Sequence, residues 1–116
     1  MADPDIAEIR VFLRRFAAER DWEQFHTPKN LVMAMAGEVG ELVEIFQWLT
    51  AEESARVGED PDRSRAVADE LVDVLQYVIR LADVLDIDLD EAVRRKFAEN
   101  AGRYPADEVR GSAEKR

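Results

Sequence analysis

With 116 residues, 47% of them apolar, the chain is long enough for one domain with its own core and too short for two. Twenty-six acidic residues against sixteen basic ones leave a net charge of -10 with no basic cluster, which excludes a nucleic-acid backbone as partner but admits a polyanionic small molecule if divalent cations lie between. The absence of cysteine removes disulfides, thiolate zinc sites and cysteine nucleophiles, and the lack of a leader-like start or an uncharged membrane-length run predicts a soluble, cytoplasmic protein with no membrane partner.

In chain order, the first predicted helix runs from about Pro4 to Arg20, opened by Asp3-Pro4 and carrying Ile6, Ile9, Phe12, Leu13 and Phe16 at helical spacing. A second, from about Pro28 to Leu49, is opened by Thr27-Pro28. It is apolar on nearly all sides from Leu31 to Ala36, so more than its own chain is expected to cover it, and a homo-oligomer follows. Residues 50 to 62 read as a polar connection with room for one short helical turn. The third helix is expected from Pro61, after Asp60, to about Leu85. A fourth is capped by Asp88 and runs from Leu89 to about Ala101, closed by Gly102, with Pro105 barring continuation. No alternation lasts long enough for a strand, so the expected fold is all-α, a four-helix bundle over residues 1–105 with a disordered tail over 106–116.

Two pairs of acids break the apolar pattern. On the second helix, with about 100° per residue, Leu31, Leu42, Ile45 and Leu49 fall within about 40° of Glu38, and Glu41 lies about 60° to one side, between Ala34 and Trp48. On the third, Glu70 shares its sector with Ala66, Val74, Tyr77 and Leu81, with Asp73 about 60° away. Asp69, Gln76, Arg80 and Asp83 form a separate polar arc, expected to face water. An ionised carboxylate in an apolar sector costs several kcal/mol unless something positive is near. In-chain arginines are one answer, but no basic residue occurs between Leu31 and Leu49. A hard divalent cation, Mg²⁺ or Mn²⁺, suits an oxygen-only set in a chain with one histidine. The competing reading is a solvated face, the ordinary fate of two acids three apart. Glu44 lies toward the rim, as a fifth ligand, a base or a solvated residue.

Gly37-Glu38-Val39-Gly40-Glu41 followed by Glu70-Leu71-Val72-Asp73 resembles the ExxE…ExxD signature of the MazG-like nucleotide pyrophosphatases. Arg20 to His26, Pro28-Lys29-Asn30-Leu31, Phe46-Gln47-Trp48, Asn100 and Arg103-Tyr104-Pro105 resemble the dCTP pyrophosphatase branch, and the likeness extends from about Ile6 to Pro105. The resemblance implies cleavage of a nucleoside triphosphate between its α and β phosphates, giving the monophosphate and pyrophosphate. It implies Mg²⁺ held by Glu38, Glu41, Glu70 and Asp73, with Glu38 or Glu41 as the base that takes a proton from water. Lys29, Lys96 and Arg103 are candidates for the outer phosphates, with Asn100 as a neutral donor. Trp22, His26, Trp48 and Tyr77 are candidates for the base pocket, and Asn30 and Tyr104 complete the expected substrate-binding set. For Lys96 the alternative is a surface charge, for Trp48 and Tyr77 core packing, and for His26 a brace before the second helix.

Where dCTP-preferring relatives carry a histidine in the first helix, Leu13 stands here, which leaves the preferred base open. The family's site forms where chains pack together, which implies a homo-oligomer, most simply a dimer of dimers. Two other classes fit the pattern less well. A carboxylate-bridged di-iron bundle usually supplies Glu-x-x-His pairs, and the single His26 precedes the second helix. A non-catalytic helical module would pair its acids across an interface.

Overall fold

The computed structural model describes residues 3–116, and among these there is no β-strand. The chain divides into two compact units, one through Asp86 and one from Ile87.

The first unit holds α1 (Ile6–Glu19), α2 (Pro28–Phe46), the short α3 (Ala51–Ala55) and α4 (Pro61–Val84), with 3₁₀ turns at Glu23–Phe25 and Val57–Glu59. Helix α4 is its organising element, packing against α2 and α1. Leu31 and Ile79 are its largest fully buried side chains, with Ala17, Val57 and Ala82 also buried. Each of the two large ones removes enough apolar surface from water to contribute about 2–3 kcal/mol.

The helix starts are set by side chains. Thr27 Oγ1 accepts from the Asn30 amide at 3.2 Å, and Asp60 accepts from Asp62 and Arg63, in both cases with proline in the first turn. The first helix starts later than Asp3-Pro4 suggests. Its cap is Asp5, whose Oδ1 accepts from the Glu8 amide at 2.8 Å, the three-residue spacing that a capping carboxylate requires. Within the polar connection, Thr50 and Glu53 form a reciprocal capping box. That box sets Thr50 extended, so α2 gives way to a turn after Phe46 and α3 begins at once.

The end of α1 positions an aromatic side chain. Asp21 adopts a left-handed conformation (φ 54°), the Trp22 amide donates to Ala17 O at 2.9 Å and the Asp21 amide to Ala18 O at 3.2 Å, a Schellman turn. Its usual apolar clasp is present, with the Trp22 and Phe16 rings edge to face at 5.7 Å.

The second unit contains α5 (Leu89–Arg103) and the one-turn α6 (Ala106–Val109). Asp88 caps α5 by accepting from the Glu91 amide at 3.1 Å. Gly102 does not close the helix; it lies inside it, and the cap is Tyr104. Pro105 is the reason, because a residue before proline is driven out of helical conformation. Residues 106–116, expected to be disordered, include α6 and an ion pair between Arg116 and Glu108 at 2.9 Å, and the Tyr104 hydroxyl accepts from the Arg116 amide at 2.8 Å. Pro105 at the cap position presets the backbone for that extra turn. No helix among the described residues is long and apolar enough to cross a membrane.

Candidate metal centre and adjoining cavity

Two acids three residues apart share one side of a helix, so α2 presents Glu38 with Glu41 and α4 presents Glu70 with Asp73. Where α2 and α4 pack together, Glu38, Glu41 and Glu70 each bring a carboxylate oxygen within 4.8 Å of the other two. Asp73 stands outside that close group, half-buried one turn further along α4.

One oxygen of Glu38 and one of Glu70, the Oε2 atoms, are buried without any hydrogen-bond partner among the described residues. Such orphaned atoms are rare in folded proteins and call for an explanation. No arginine or lysine forms an ion pair with any of these acids among the described residues. The pairing of Glu70 with Glu38, reinforced by burial and by Glu41, pushes the Glu70 carboxyl up to about 7. Three converging carboxylates with two unsatisfied buried oxygens fit a hard, oxygen-seeking divalent cation. Glu44 is exposed and outside the group.

Tyr77 connects this cluster with a cavity of about 90 Å³ lined by Leu13, Phe16, Trp22, His26, Gln76, Tyr77 and Arg80. Burial, and then the charges of Glu38 and Asp73, raise the Tyr77 hydroxyl above the usual phenol range. The volume is well below the roughly 300 Å³ at which pockets for whole small molecules begin, so it is sized for part of a ligand, such as one ring.

Of the residues expected to meet a base, Trp22, His26 and Tyr77 are thus gathered in one place. Trp48 is not: it lies in the turn after α2 with 86% of its surface exposed, so neither this cavity nor core packing accounts for it. Asn30 is occupied locally, its Nδ2 donating to Phe25 O at 3.0 Å to brace the turn before α2. Lys29 is exposed in the first turn of α2. Lys96, Asn100, Arg103 and Tyr104 all belong to the second unit, where Lys96, Asn100 and Arg103 recur at the spacing of one face of α5.

Of the polar arc expected to face water, Asp69 is exposed, but the reading of Gln76, Arg80 and Asp83 is corrected. Arg80 is 8% exposed and Asp83 nearly as buried, because α1 and the 3₁₀ turn before α2 supply partners for them in Arg14 and His26. Gln76 and Arg80 are therefore cavity residues that the helix wheel alone misplaced. A wheel reports angle on one helix and carries no record of what packs against it.

The sequence matches the MazG-like family over residues 34–116. It is 48% identical over 113 residues to human dCTP pyrophosphatase 1, covering 97% of this chain and 66% of the relative, and 46% identical over 112 residues to the Bos taurus protein of that name, with the same coverage. The chain thus spans about two-thirds of the length of these curated relatives. Its fold is similar to the crystal structure of a pyrophosphatase from Archaeoglobus fulgidus, with a TM-score of 0.80 and 40% identity, over 90% of this chain and 96% of that one. With this match, those relatives and a fold, helical among the described residues, that brings Glu38, Glu41 and Glu70 together, the chain belongs to the MazG-like family.

Proposed function

We propose that the protein is a divalent-metal-dependent nucleoside triphosphate pyrophosphohydrolase, which cleaves dCTP or a modified cytosine deoxynucleotide between its α and β phosphates and so cleans the nucleotide pool. The observation that carries this reading is the pair of buried, unpartnered oxygens on Glu38 and Glu70 within one carboxylate cluster, linked through Tyr77 to a ring-sized aromatic cavity. The relatives named dCTP pyrophosphatase 1 support the choice of substrate.

Glu38, Glu41 and Glu70 would hold the cation, with Asp73 completing the set from the next turn of α4. Mg²⁺, or Mn²⁺ in its place, supplies charge neutralisation and orientation of the triphosphate oxygens. The remaining work belongs to the chain. Glu38 or Glu41 accepts the proton of the attacking water at a carboxylate oxygen not engaged by metal. Trp22, His26 and Tyr77 hold the base, with Trp48 and Asn30 as further substrate-binding candidates. Lys29, Lys96 and Arg103 are proposed for the outer phosphates, with Asn100 and Tyr104 as neutral partners.

Residues 1–105 are proposed as the functional domain, acting as a homo-oligomer, most simply a tetramer built as a dimer of dimers in the cytoplasm. Val32, Met33 and Val43 on α2 and Leu71 on α4 are all about half exposed or more, an apolar surface that a second copy of the chain would cover.

Incubating the purified chain with separate triphosphates and Mg²⁺ tests the reading. Pyrophosphate and monophosphate are the expected products, fastest from a cytosine deoxynucleotide. Orthophosphate release, or no turnover of any triphosphate, overturns it.

A further inference from the structure

Four polar side chains from three elements meet in the C-terminal half of α4, beside the cavity. Arg80 Nη1 donates to Asp83 at 3.2 Å, and Arg80 Nε donates to His26 Nδ1 at 3.0 Å. Arg14, on α1, also holds the Asp83 carboxylate, its Nε donating at 3.0 Å to the same Oδ2. The burial of Arg80 is therefore compensated, its charge balanced by Asp83 and its Nε and Nη1 both engaged.

The bond to His26 has a chemical consequence. A guanidinium carries donors only and does not lose its proton, so Nδ1 must be the acceptor. The imidazole proton then resides on Nε2, and a second proton at Nδ1 would both break this bond and face the Arg80 charge. Burial and Arg80 accordingly hold His26 below the ordinary histidine range, with the nearby Glu23 opposing them. Nε2 has no hydrogen-bond partner among the described residues, while His26 and Arg80 both line the cavity.

We infer that Arg80, braced by Asp83 and Arg14, is a positioning residue that locks His26 as the neutral Nε2–H tautomer, giving the cavity a fixed hydrogen-bond donor for a carbonyl or ring-nitrogen acceptor of the nucleobase. The inference rests on the reading of this cavity as the base site. It adds a rule of selection: a base edge offering only donors at that point leaves the Nε2–H unpaired, and an unmade buried hydrogen bond is costly. Leu13, which also lines the cavity, offers apolar contact, and Gln76 can both donate and accept.

His26 is the only histidine of the chain, so selective ¹⁵N labelling of histidine reports a single imidazole. In the 116-residue chain at neutral pH, Nδ1 is expected to be unprotonated and Nε2 protonated. Adding dCMP should shift the Nε2 resonance, whereas inorganic pyrophosphate should not. Arg80→Met, which keeps bulk but removes the donor, should release a mixture of tautomers. It should also raise KM for dCTP by about twofold, because the donor tautomer falls to about half of the population, with kcat little changed because base contacts are equal in ground and transition states.

A dominant Nδ1–H tautomer in the wild type, an Nε2 resonance indifferent to dCMP, or an unchanged tautomer in Arg80→Met overturns the inference. Should Arg80→Met fail to fold, the wild-type spectra with and without dCMP decide alone. The two readings fail differently: absence of turnover with every triphosphate removes the enzymatic reading and the donor's role with it, while normal turnover with a protonated Nδ1 removes the lock only.

Discussion

Helix α4 buries charge in two places, about ten residues or roughly 15 Å apart, and handles it in opposite ways. Around Arg80, each charge has a partner of the other sign: Asp83 lies between Arg80 and Arg14, and the one neutral group, His26, accepts rather than competes. Around Glu70 the charged partners gathered are acids, with two oxygens that have no hydrogen-bond partner among the described residues. A folded protein tolerates the second arrangement only if a group from outside completes it or if one acid keeps its proton. The first region thus balances its charges within the chain, and the second leaves its acids open to a proton or a cation.

The contrast can be broken most directly through activity. Glu41→Ala and Asp73→Ala are expected to reduce pyrophosphate release by on the order of a thousandfold, the scale of losing a catalytic carboxylate, with helical content by circular dichroism unchanged. Retained turnover in both would place the metal elsewhere. In the other region the larger loss should appear as stability. Asp83→Ala leaves a buried guanidinium unpaired and should cost about 3 kcal/mol in a denaturant titration.

The pH dependence of the metal-free protein sharpens the comparison, because the two regions have opposite signs. Glu70 is raised to about 7 from an unfolded value near 4.5, so the folded state holds its proton more tightly than the unfolded state. Its contribution is greatest at low pH and is lost as pH rises through that interval. Asp83 is lowered, first by its bonds to Arg14, so its stabilisation is present above the unfolded value of 3.8 and lost as pH falls below it. With chelator present, the melting temperature should therefore fall between about pH 4.5 and 7, and Glu70→Gln should flatten that fall. Mg²⁺ should restore the loss above pH 7, since binding requires the deprotonated carboxylate. A flat metal-free profile across this range would show that the acids are not coupled.

The smallest expected effect is at Trp48. With 86% of its surface exposed, Trp48→Ala should change the stability of the chain by less than about 0.5 kcal/mol. A larger loss that grows with protein concentration would mean that a second copy covers this side chain.

Much of this was legible in the chain before any coordinates. Thr27-Pro28, Asp60-Pro61 and Asp88 mark helix starts because capping is decided within four residues, and the structure begins α2, α4 and α5 where they indicate. The apolar sectors around Glu38 and Glu70 singled out those acids for a similar reason, since a helix wheel needs only a constant turn per residue. Local signals failed where two of them competed, as with Asp3-Pro4 against Asp5 and Gly102 against Pro105.

What the sequence determined by itself, then, was the helical architecture and the four acids that do not belong on apolar faces. Only the tertiary structure decided that Glu38, Glu41 and Glu70 converge while Asp73 stands one turn aside, and that Arg80 faces His26 rather than water. The physical reason is one of range. Propensity, capping and periodicity act over a few residues, whereas the partner of a buried charge is chosen by packing between elements as far apart as Arg14 and Asp83, 69 residues along the chain.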